Sequence, residues 1–336
     1  MTALDKALRA PRNLSAEELS ALLASDDLKL WEDAFAAAQE VKAGCGKTEV
    51  LLRGLIECSN VCAKDCLYCG IRKGNAKVPR YRLSEAEALS CIDEARRRGY
   101  PAVAFQAGEI ESEENTAYYE RLTAYAAGRA GSTIPPLEVT LSLGEQKESV
   151  YRRWKEAGAL RYLIRIETSN RELYAKIHPA DCSFDRRVGC IRTLKKLGYV
   201  TGTGVMIGLP GQTVGDLARD IVFFGDENAD MVGMGPYIPN GDTPMGMKVE
   251  VEGGGGQRNG ENPLSTSTSH LNLSLRMIAL TRLYLWNVNI VAATALSALD
   301  PEHGQERGIS AGANVIMPNL TPACRVPAYS LYPGKF

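Results

Sequence analysis

Apolar residues are arranged along the chain in two alternating patterns. Short apolar runs are separated by longer stretches in which apolar residues recur every three or four positions. The short runs predict buried strands, and the longer stretches predict amphipathic helices. The predicted strands are Val50–Glu57, Ala102–Gln106, Leu137–Leu141, Tyr162–Ile166, Thr201–Ile207, Met231–Met234, Ile290–Ala293 and Asn314–Met317. The predicted helices between and after them are Ser84–Arg98, Asn115–Ala127, Lys147–Ala157, Phe184–Leu197, Thr213–Glu227, Asn272–Tyr284 and Pro301–Ile309.

This alternation of strands and helices predicts an α/β fold with a parallel sheet. Eight strands, with a helix after each of the first seven, fit a closed (β/α)8 TIM-type barrel. The competing arrangement is an open doubly wound sheet, which typically has fewer strands in one run. We therefore assign residues 45–336 to a barrel.

Two segments fall outside the barrel pattern. Residues 1–44 predict an N-terminal helical extension, with a capping box at Ser15–Glu18 and a longer apolar-periodic stretch from Leu30 to Lys42. Residues 249–269 contain four consecutive glycines and a serine/threonine run, which predict a flexible insertion. A tolerated loop without a role is the favoured interpretation of that insertion.

The composition disfavours several classes of partner. Of the 336 residues 45% are hydrophobic and 24% are charged, the net charge is −1, and the isoelectric point is near 6.4. A chain so close to neutral suggests no binding to nucleic acid or to an anionic membrane. No apolar run approaches the roughly 20 residues of a membrane span, and the N-terminus lacks the apolar core of a secretory signal.

The cysteines and histidines narrow the chemistry further. Nine cysteines, an odd number in a chain of this length, argue against a disulfide framework. A reducing, cytoplasmic location is expected, or an organelle in a eukaryote. The three histidines, His178, His270 and His303, fall in no metal-ligand or nucleophile pattern. Ser-His-Asp and zinc-hydrolase mechanisms are therefore poorly supported.

Three cysteines stand together in the segment 62–69, which we call the cysteine loop. Cys62, Cys66 and Cys69 have the spacing C-x3-C-x2-C, and thiolates are soft ligands suited to iron–sulfur clusters. Three thiolates can hold three irons of a cubic four-iron cluster and leave the fourth iron open to a small molecule. Zinc is the alternative, but it usually needs a second close pair of ligands, which the sequence lacks. Cys58 is expected to be a buried small hydrophobe at a strand end.

Further candidate residues stand near the ends of the first three predicted strands, where a barrel builds its active site. Tyr68 has an aromatic ring that can stack on an adenine. Gln106, Gly108 and Glu109 follow the second strand, and a carboxylate there suits a ligand ammonium. Ser142 stands at the end of the third strand.

The fourth strand and the later strands add charged and small polar candidates. Arg165 and Glu167 end the fourth strand, and Arg187 heads a helix beyond it. An arginine can bind a carboxylate through its bidentate fork, and a glutamate can accept from both hydroxyls of a ribose. A surface ion pair is the commoner role for each charge alone. Thr294 and Met317 would line the lower cavity, with barrel packing as an equal alternative.

Several runs around these residues are similar to those of one enzyme family. C-x3-C-x2-C after the first barrel strand, with an aromatic residue before the last cysteine, is the signature of radical S-adenosylmethionine (SAM) enzymes. More specific runs are Ser59–Cys62, Leu67–Gly70, Arg80–Ser84, Thr140–Glu145, Arg165–Thr168, Gly208–Thr213, Met231–Pro236 and Gly312–Pro318. From about residue 45 to 336 the chain resembles the HydE family of [FeFe]-hydrogenase maturases, within the biotin synthase-like radical SAM group.

The resemblance implies a [4Fe-4S] cluster bound by Cys62, Cys66 and Cys69, whose open iron chelates the amino and carboxylate groups of SAM. The reduced cluster would then generate a 5′-deoxyadenosyl radical. The implied substrate is an iron–cysteine complex carrying carbon monoxide and cyanide, made by the maturase HydG. The product would pass toward the di-iron subsite of the H-cluster, with the scaffold HydF as partner. A low-potential donor such as ferredoxin or flavodoxin would supply the electron.

The resemblance also implies residue roles. The residues expected to bind SAM are Tyr68, Gln106, Gly108, Glu109, Ser142, Glu167 and Arg187. Among them, Glu109 would lie near the ammonium and Arg187 would pair with the carboxylate, while Ser142 and Glu167 would hold the ribose or nearby groups. The residues expected to face the substrate are Arg165, Thr294 and Met317.

Two departures from the family pattern and two alternatives accompany this interpretation. Position 166 is Ile where many members carry His, and no cysteine follows Tyr332, so we predict one cluster only. The alternative enzyme is a methylornithine synthase-like radical mutase or another member of the biotin synthase group. The alternative class is an iron–sulfur electron carrier, which would have no use for an open iron or a large barrel.

Overall fold

The computed structural model of the chain describes residues 4–6, 12–129, 135–247 and 267–335. Its strands are β1 (Leu51–Ser59), β2 (Ala102–Ala107), β3 (Glu138–Ser142), β4 (Ala159–Leu163), β5 (Val200–Thr203), β6 (Met206–Ile207), β7 (Met231–Pro236), β8 (Asn289–Ala292) and β9 (Val315–Ile316). Its main helices are α1 (Ala16–Leu23), α2 (Leu28–Gly44), α3 (Glu85–Arg97), α4 (Glu113–Ala126), α5 (Glu148–Ala157), α6 (Arg171–Ile177), α7 (Phe184–Lys196), α8 (Val214–Asp226), α9 (Ser267–Leu285), α10 (Thr294–Leu299) and α11 (Gly304–Ser310).

The strands form one closed parallel barrel. Each of β1 to β4 pairs with the next strand, β5 pairs with β7, and β7, β8, β9 and β1 complete the circle. Strands β5 and β6 both pair with β7, and together they occupy the fifth of eight positions. The prediction of a (β/α)8 barrel is confirmed, and the open doubly wound sheet is wrong.

Two strands differ from the predicted spans. The fourth strand is Ala159–Leu163 rather than Tyr162–Ile166. The regular strand pairing ends at Leu163, although the apolar residues Ile164 and Ile166 that follow are still buried. The fifth strand is divided at Gly204, whose backbone lies so close to its neighbour that an added Cβ would stand 1.8 Å from the carbonyl oxygen of Gly233. The helices α6 and α10 were not predicted, because both are too short for a clear helical period.

The N-terminal helices pack on the outside of the barrel. The Ser15 capping box is present at the start of α1, and the predicted stretch from Leu30 to Lys42 lies within α2. Helix α1 packs against α8, and α2 packs against α9. Most of the predicted insertion at 249–269, up to residue 266, lies outside the described residues. Its last three residues, 267–269, belong instead to α9, which begins at Ser267. None of the described helices combines the length and apolar character that crossing a bilayer requires.

Candidate functional site

The barrel encloses a cavity of about 210 Å³ that contains much of the predicted site. The predicted residues that line it are Tyr68, Cys69, Gln106, Ser142, Arg165, Glu167, Thr294 and Met317. The predicted residues that stand outside its lining are Cys62, Cys66, Gly108, Glu109 and Arg187. The cysteine loop therefore reaches the cavity through Tyr68 and Cys69.

The cysteine loop is a compact turn directly after β1. All three cysteines are free thiols and are partly buried. The backbone amide of Cys69 donates to the carbonyl of Cys66 at 3.2 Å. The sulfur of Cys62 accepts from the amides of Lys64 at 3.4 Å and Glu109 at 3.3 Å. Amide donors of this kind stabilise a thiolate and tune an iron–sulfur cluster.

The surroundings of the three thiols favour their protonated form in the absence of a metal. Burial, with a smaller effect of the nearby Cys62, raises the pKa of Cys69 to about 12. Burial also raises the pKa of Cys62, and a hydrogen bond shared with Cys182, together with burial, raises that of Cys66. Bound iron supplies the positive charge that would hold all three as thiolates.

The arrangement of these thiols also bears on which metal group they suit. No three His, Cys, Asp or Glu side chains in the described ranges already converge on a single metal-ion position. A cubic cluster binds each thiolate to a different iron, so its ligands need not meet at one point, whereas the ligands of a zinc ion must.

The loop after β2 packs tightly against the cysteine loop at Gly108. An added Cβ there would stand 2.3 Å from the carbonyl oxygen of Val61 and 2.7 Å from the Cβ of Cys62. The next residue continues the contact, because the carbonyl of Glu109 accepts from the amide of Ala63 at 2.8 Å. A glycine is required here because the two backbones approach so closely.

The Glu109 carboxylate lies at the junction of the loops after β1, β2 and β3. Its Oε2 accepts from the amide of Glu145 at 2.8 Å, and its Oε1 lies 3.5 Å from the ammonium of Lys64. Burial raises the pKa of the Glu109 carboxyl, while the amide of Glu145 and the charge of Lys64 oppose that shift. This carboxylate thus already faces an ammonium, the kind of group that the sequence predicted for it.

Arg165 and Glu167 form an ion pair on the cavity wall beyond β4. The Nη2 atom of Arg165 lies 2.9 Å from Oε2 of Glu167 and donates to the carbonyl of Val205 at 2.8 Å. Glu167 has a φ of +66°, an unusual conformation for a residue with a side chain. Such strain costs of order 1–3 kcal/mol and clusters at functional sites.

Arg187 is engaged outside the cavity lining. Its Nε atom donates to Oε1 of Glu145 at 2.6 Å, and its Nη1 atom donates to the carbonyl of Arg165 at 2.6 Å. Glu145 also lies 3.0 Å from the guanidinium of Arg186. In this structure Arg187 supports the backbone of Arg165 and neutralises Glu145.

Tyr68 is oriented by a histidine that sequence reasoning left without a role. The hydroxyl of Tyr68 lies 3.2 Å from Nε2 of His178, whose Nδ1 lies 2.9 Å from the carbonyl of Tyr174. A carbonyl can only accept, so Nδ1–H donates to it and Nε2 accepts from the Tyr68 hydroxyl. Burial lowers the pKa of His178 to about 4, so the ring is neutral at pH 7 and orients Tyr68.

The structure adds cavity residues that the sequence did not suggest. Arg53 lines the cavity from β1, and its Nη2 atom has no hydrogen-bond partner among the described residues. Burial lowers the pKa of Arg53 to about 10. Tyr332 and Lys335 line the cavity from the segment after a short 3₁₀ helix, Val326–Ala328. The hydroxyl of Tyr332 lies 3.1 Å from Oγ1 of Thr294. One signal was available, because Arg53 and Leu55 are two positions apart on β1 and therefore share one face of the strand.

Comparison with known proteins identifies relatives in both sequence and structure. The profile of the radical SAM superfamily matches residues 56–224. The "[FeFe] hydrogenase maturase subunit HydE" of Thermotoga maritima is 40% identical over 329 residues, covering 96% of this chain and 85% of the relative.

Two solved structures share the fold over most of the chain. Methylornithine synthase (PylB) superimposes with a TM-score of 0.77 at 24% identity, covering 94% of this chain and 85% of its own. The FeFe-hydrogenase maturase HydG from Carboxydothermus hydrogenoformans gives a TM-score of 0.75 at 20% identity, covering 94% of this chain and 69% of its own. At these identities the likeness establishes the fold alone.

Proposed function

This chain belongs to the radical SAM superfamily and, within it, to the HydE maturase family, and we propose that its substrate is an iron–cysteine complex. The chain is a radical SAM enzyme related to hydrogenase maturation. The specific proposal is that it acts on a HydG-derived complex carrying carbon monoxide and cyanide, on the way to the di-iron subsite of the H-cluster.

One observation carries the proposal: the cysteine loop, which follows the carboxyl end of β1, borders the barrel cavity. Cys69 lines that cavity, while Cys62 and Cys66 are outside its lining. Cys62, Cys66 and Cys69 would hold a [4Fe-4S] cluster, and the groups on the cavity side would hold SAM. When bound and reduced, the cluster would supply the electron that cleaves SAM and releases a 5′-deoxyadenosyl radical.

The protein would bind and orient SAM with residues around the cysteine loop. The Glu109 carboxylate would accept from the ammonium of SAM, taking over from Lys64. Tyr68, with its hydroxyl engaged by His178, would offer its ring for stacking, and Ser142 and Glu167 would bind the ribose. Gln106 and Gly108 would shape the same surface.

The predicted role of Arg187 requires a rearrangement of charges. Arg187 would bind the carboxylate of SAM only after releasing Glu145, which it contacts at 2.6 Å. We therefore propose that Arg187 acts mainly by supporting Arg165. Arg165, Thr294 and Met317 line the cavity, where they would contact the substrate and exclude water.

The decisive test of the specific function is in vitro maturation of an [FeFe]-hydrogenase with this protein as the sole maturase of its type. With HydG, HydF and a low-potential electron donor competent, the proposal expects active hydrogenase. Cys66→Ser protein should give none. Efficient SAM cleavage without any hydrogenase activity would redirect the substrate to another radical SAM reaction, such as the amino-acid mutation of the methylornithine synthase type.

A further inference from the structure

The segment 329–335 forms part of the cavity wall next to the cysteine loop. The carbonyl of Leu331 accepts from the amide of Gly70 at 3.0 Å and from Nδ2 of Asn240 at 3.3 Å. Leu331, Tyr332 and Lys335 line the cavity. The segment therefore brings a lysine, far away in sequence, into the interior of the barrel.

Lys335 is held by a buried carboxylate from β1. Its ammonium donates to Oε1 of Glu57 and to the carbonyl of Tyr329 at 3.0 Å, and it lies 4.3 Å from the centre of the Tyr329 ring. Glu57 also accepts from Nδ2 of Asn319 at 3.2 Å. The side chains of Lys335 and Glu57 are 5% and 0% exposed. Glu57 and Tyr329 thus hold the Lys335 ammonium at the cavity wall.

A buried ion pair is a costly way to stabilise a fold. Burying such a pair removes two charges from water, and packed apolar residues of similar size often stabilise a fold as well or better. Lys335 lines the cavity, whereas Glu57 does not. Of the two charges, the cation is therefore the one on the cavity wall.

Arg165 is a second cation on the cavity wall, and its counter-charge Glu167 lines the cavity too. Glu167 is buried, and the Nε atom of Arg165 has no hydrogen-bond partner among the described residues. The hydroxyl of Tyr332, 3.1 Å from Oγ1 of Thr294, adds a neutral hydrogen-bonding group to the same cavity. Two cations on the wall of one cavity fit a ligand with an anionic, hydrogen-bond-accepting end.

Building on the proposed function, we propose that Lys335 is a specificity-determining residue that binds the carboxylate of an amino-acid-derived substrate, with Glu57 as its positioning residue. Arg165 would bind the same end of the substrate from the β4 side. The reacting sulfur of a cysteine-derived substrate would then be held at a fixed place relative to SAM.

Calorimetric binding to the cluster-loaded, SAM-bound protein tests this assignment. The probes are L-cysteine and cysteamine, which share a thiol and an amine and differ only in the carboxylate. The wild-type protein should bind cysteine more tightly by about tenfold, the size of one charge-assisted hydrogen bond. Lys335→Met alone would leave the Glu57 carboxylate unpaired, so the informative variant is the double substitution E57Q/K335M.

The double variant should lose the preference for cysteine, and Lys335→Arg should keep part of it. Lys29→Met, at an exposed lysine of α2, is the matched control and should keep all of it. The assignment is overturned if wild-type protein binds the two probes equally or binds neither, or if the double variant keeps the full preference. SAM cleavage, measured on the same samples, separates the two proposals. If the wild-type protein does not cleave SAM, the proposed function fails, whereas SAM cleavage without a preference for cysteine overturns only the role of Lys335.

Discussion

At the scale of single residues, the site depends on three partly buried thiols that need a cation to become thiolates. Burial raises the pKa of Cys62 and of Cys69, the latter to about 12. Iron binding would therefore displace protons from these thiols. The pKa of Cys66 is also raised, but the main cause is the hydrogen bond that it shares with Cys182 rather than burial.

Replacing Cys66 by Ser should abolish cluster binding. A serine hydroxyl is a hard ligand and remains protonated, so only two thiolates would be left for the cluster. The anaerobically reconstituted variant should be colourless and contain little iron. Cys91→Ser, at a buried cysteine of α3, is the control and should keep the brown colour. Full iron content in the Cys66→Ser protein would refute the ligand assignment.

Gly108→Ala should separate the loops after β1 and β2. The added methyl would stand 2.3 Å from the carbonyl oxygen of Val61, an overlap that typically costs about 1–3 kcal/mol. We expect a lower free energy of unfolding and faster iron loss to a chelator. The control is Gly189→Ala in α7, where nothing lies within 4 Å and where an alanine should stabilise by about 0.5–1 kcal/mol. Equal iron retention in the two variants would contradict this account of the contact.

Sequence alone predicted some site residues and not others, for a physical reason. The cysteine spacing and the glycine before Glu109 are local patterns, and they led to the loops that meet at the cavity. The pair of Glu57 and Lys335 spans 278 positions, so no local pattern could reveal it. Arg187 was predicted to bind a ligand, but whether it already had a partner depended on where Glu145 lies in the fold.

At the scale of elements, a single arginine joins the two ends of the cysteine loop. The guanidinium of Arg80 donates to the carbonyls of Asn60 and Ile71 at 2.7 Å, of Arg72 at 2.5 Å and of Asn75 at 3.0 Å. One of these carbonyls precedes the cysteines and three follow them. The planar fork of an arginine suits such a set of acceptors, and a lysine ammonium cannot reach all of them.

Arg80→Lys should therefore weaken cluster retention while leaving the barrel folded. Loss of a group that orients metal ligands typically costs about 10- to 100-fold in metal affinity. Iron release to a chelator would be followed at equal starting iron content. Arg82→Lys is the neighbouring control, because Arg82 pairs with the exposed Glu114 at 2.8 Å. Iron release from Arg80→Lys at the wild-type rate would show that these contacts are dispensable.

A second element-scale prediction concerns Asp220, which joins α8 to the turn after β4. Its Oδ1 accepts from the amide and from the hydroxyl of Ser169, both at 2.6 Å. Burial raises the pKa of Asp220 from 3.8 to about 7, so the folded state holds this proton more tightly than the unfolded chain. The stability that this proton contributes is complete below pH 3.8 and is lost as the pH rises through about 7.

Relative to Asp220→Asn, the wild-type free energy of unfolding should fall by about 1.4 kcal/mol per pH unit across this window. Chemical denaturation of both proteins at several pH values measures the difference. The range from about pH 4.5 to about pH 6.5 lies within this window. If the difference in free energy of unfolding between the two proteins stays constant over that range, Asp220 ionises normally in the folded state.

The strand boundaries near the site illustrate how an element can depart from its apolar pattern. The apolar run that predicted the fourth strand extends through Ile164 and Ile166, which are both buried. The hydrogen-bonded strand nevertheless ends at Leu163. The turn that follows places Arg165 in the cavity and gives Glu167 its positive φ. Hydrophobic periodicity reports burial, and it cannot distinguish a ladder from a buried functional turn.

At the scale of the whole molecule, the closed barrel has an apolar layer that stabilises the fold and a charged interior that can bind ligands. The alternation of strands and helices sufficed to predict the closure, because each element repeats the same burial pattern. Between the sheet and the helices the packing is apolar, whereas the interior carries Arg53, Glu57, Arg165, Glu167 and Lys335. Their positions could not be predicted from the pattern, since they depend on strand register and on the course of the segment 329–335.

The central claim is that this interior performs SAM-dependent radical chemistry next to the cysteine loop. Its most direct test is the amount of 5′-deoxyadenosine formed when the reconstituted protein is reduced anaerobically with SAM. We expect 5′-deoxyadenosine and methionine in equal amounts from wild-type protein and neither from Cys66→Ser. A wild-type protein with a complete, reducible cluster that forms no 5′-deoxyadenosine would contradict the account.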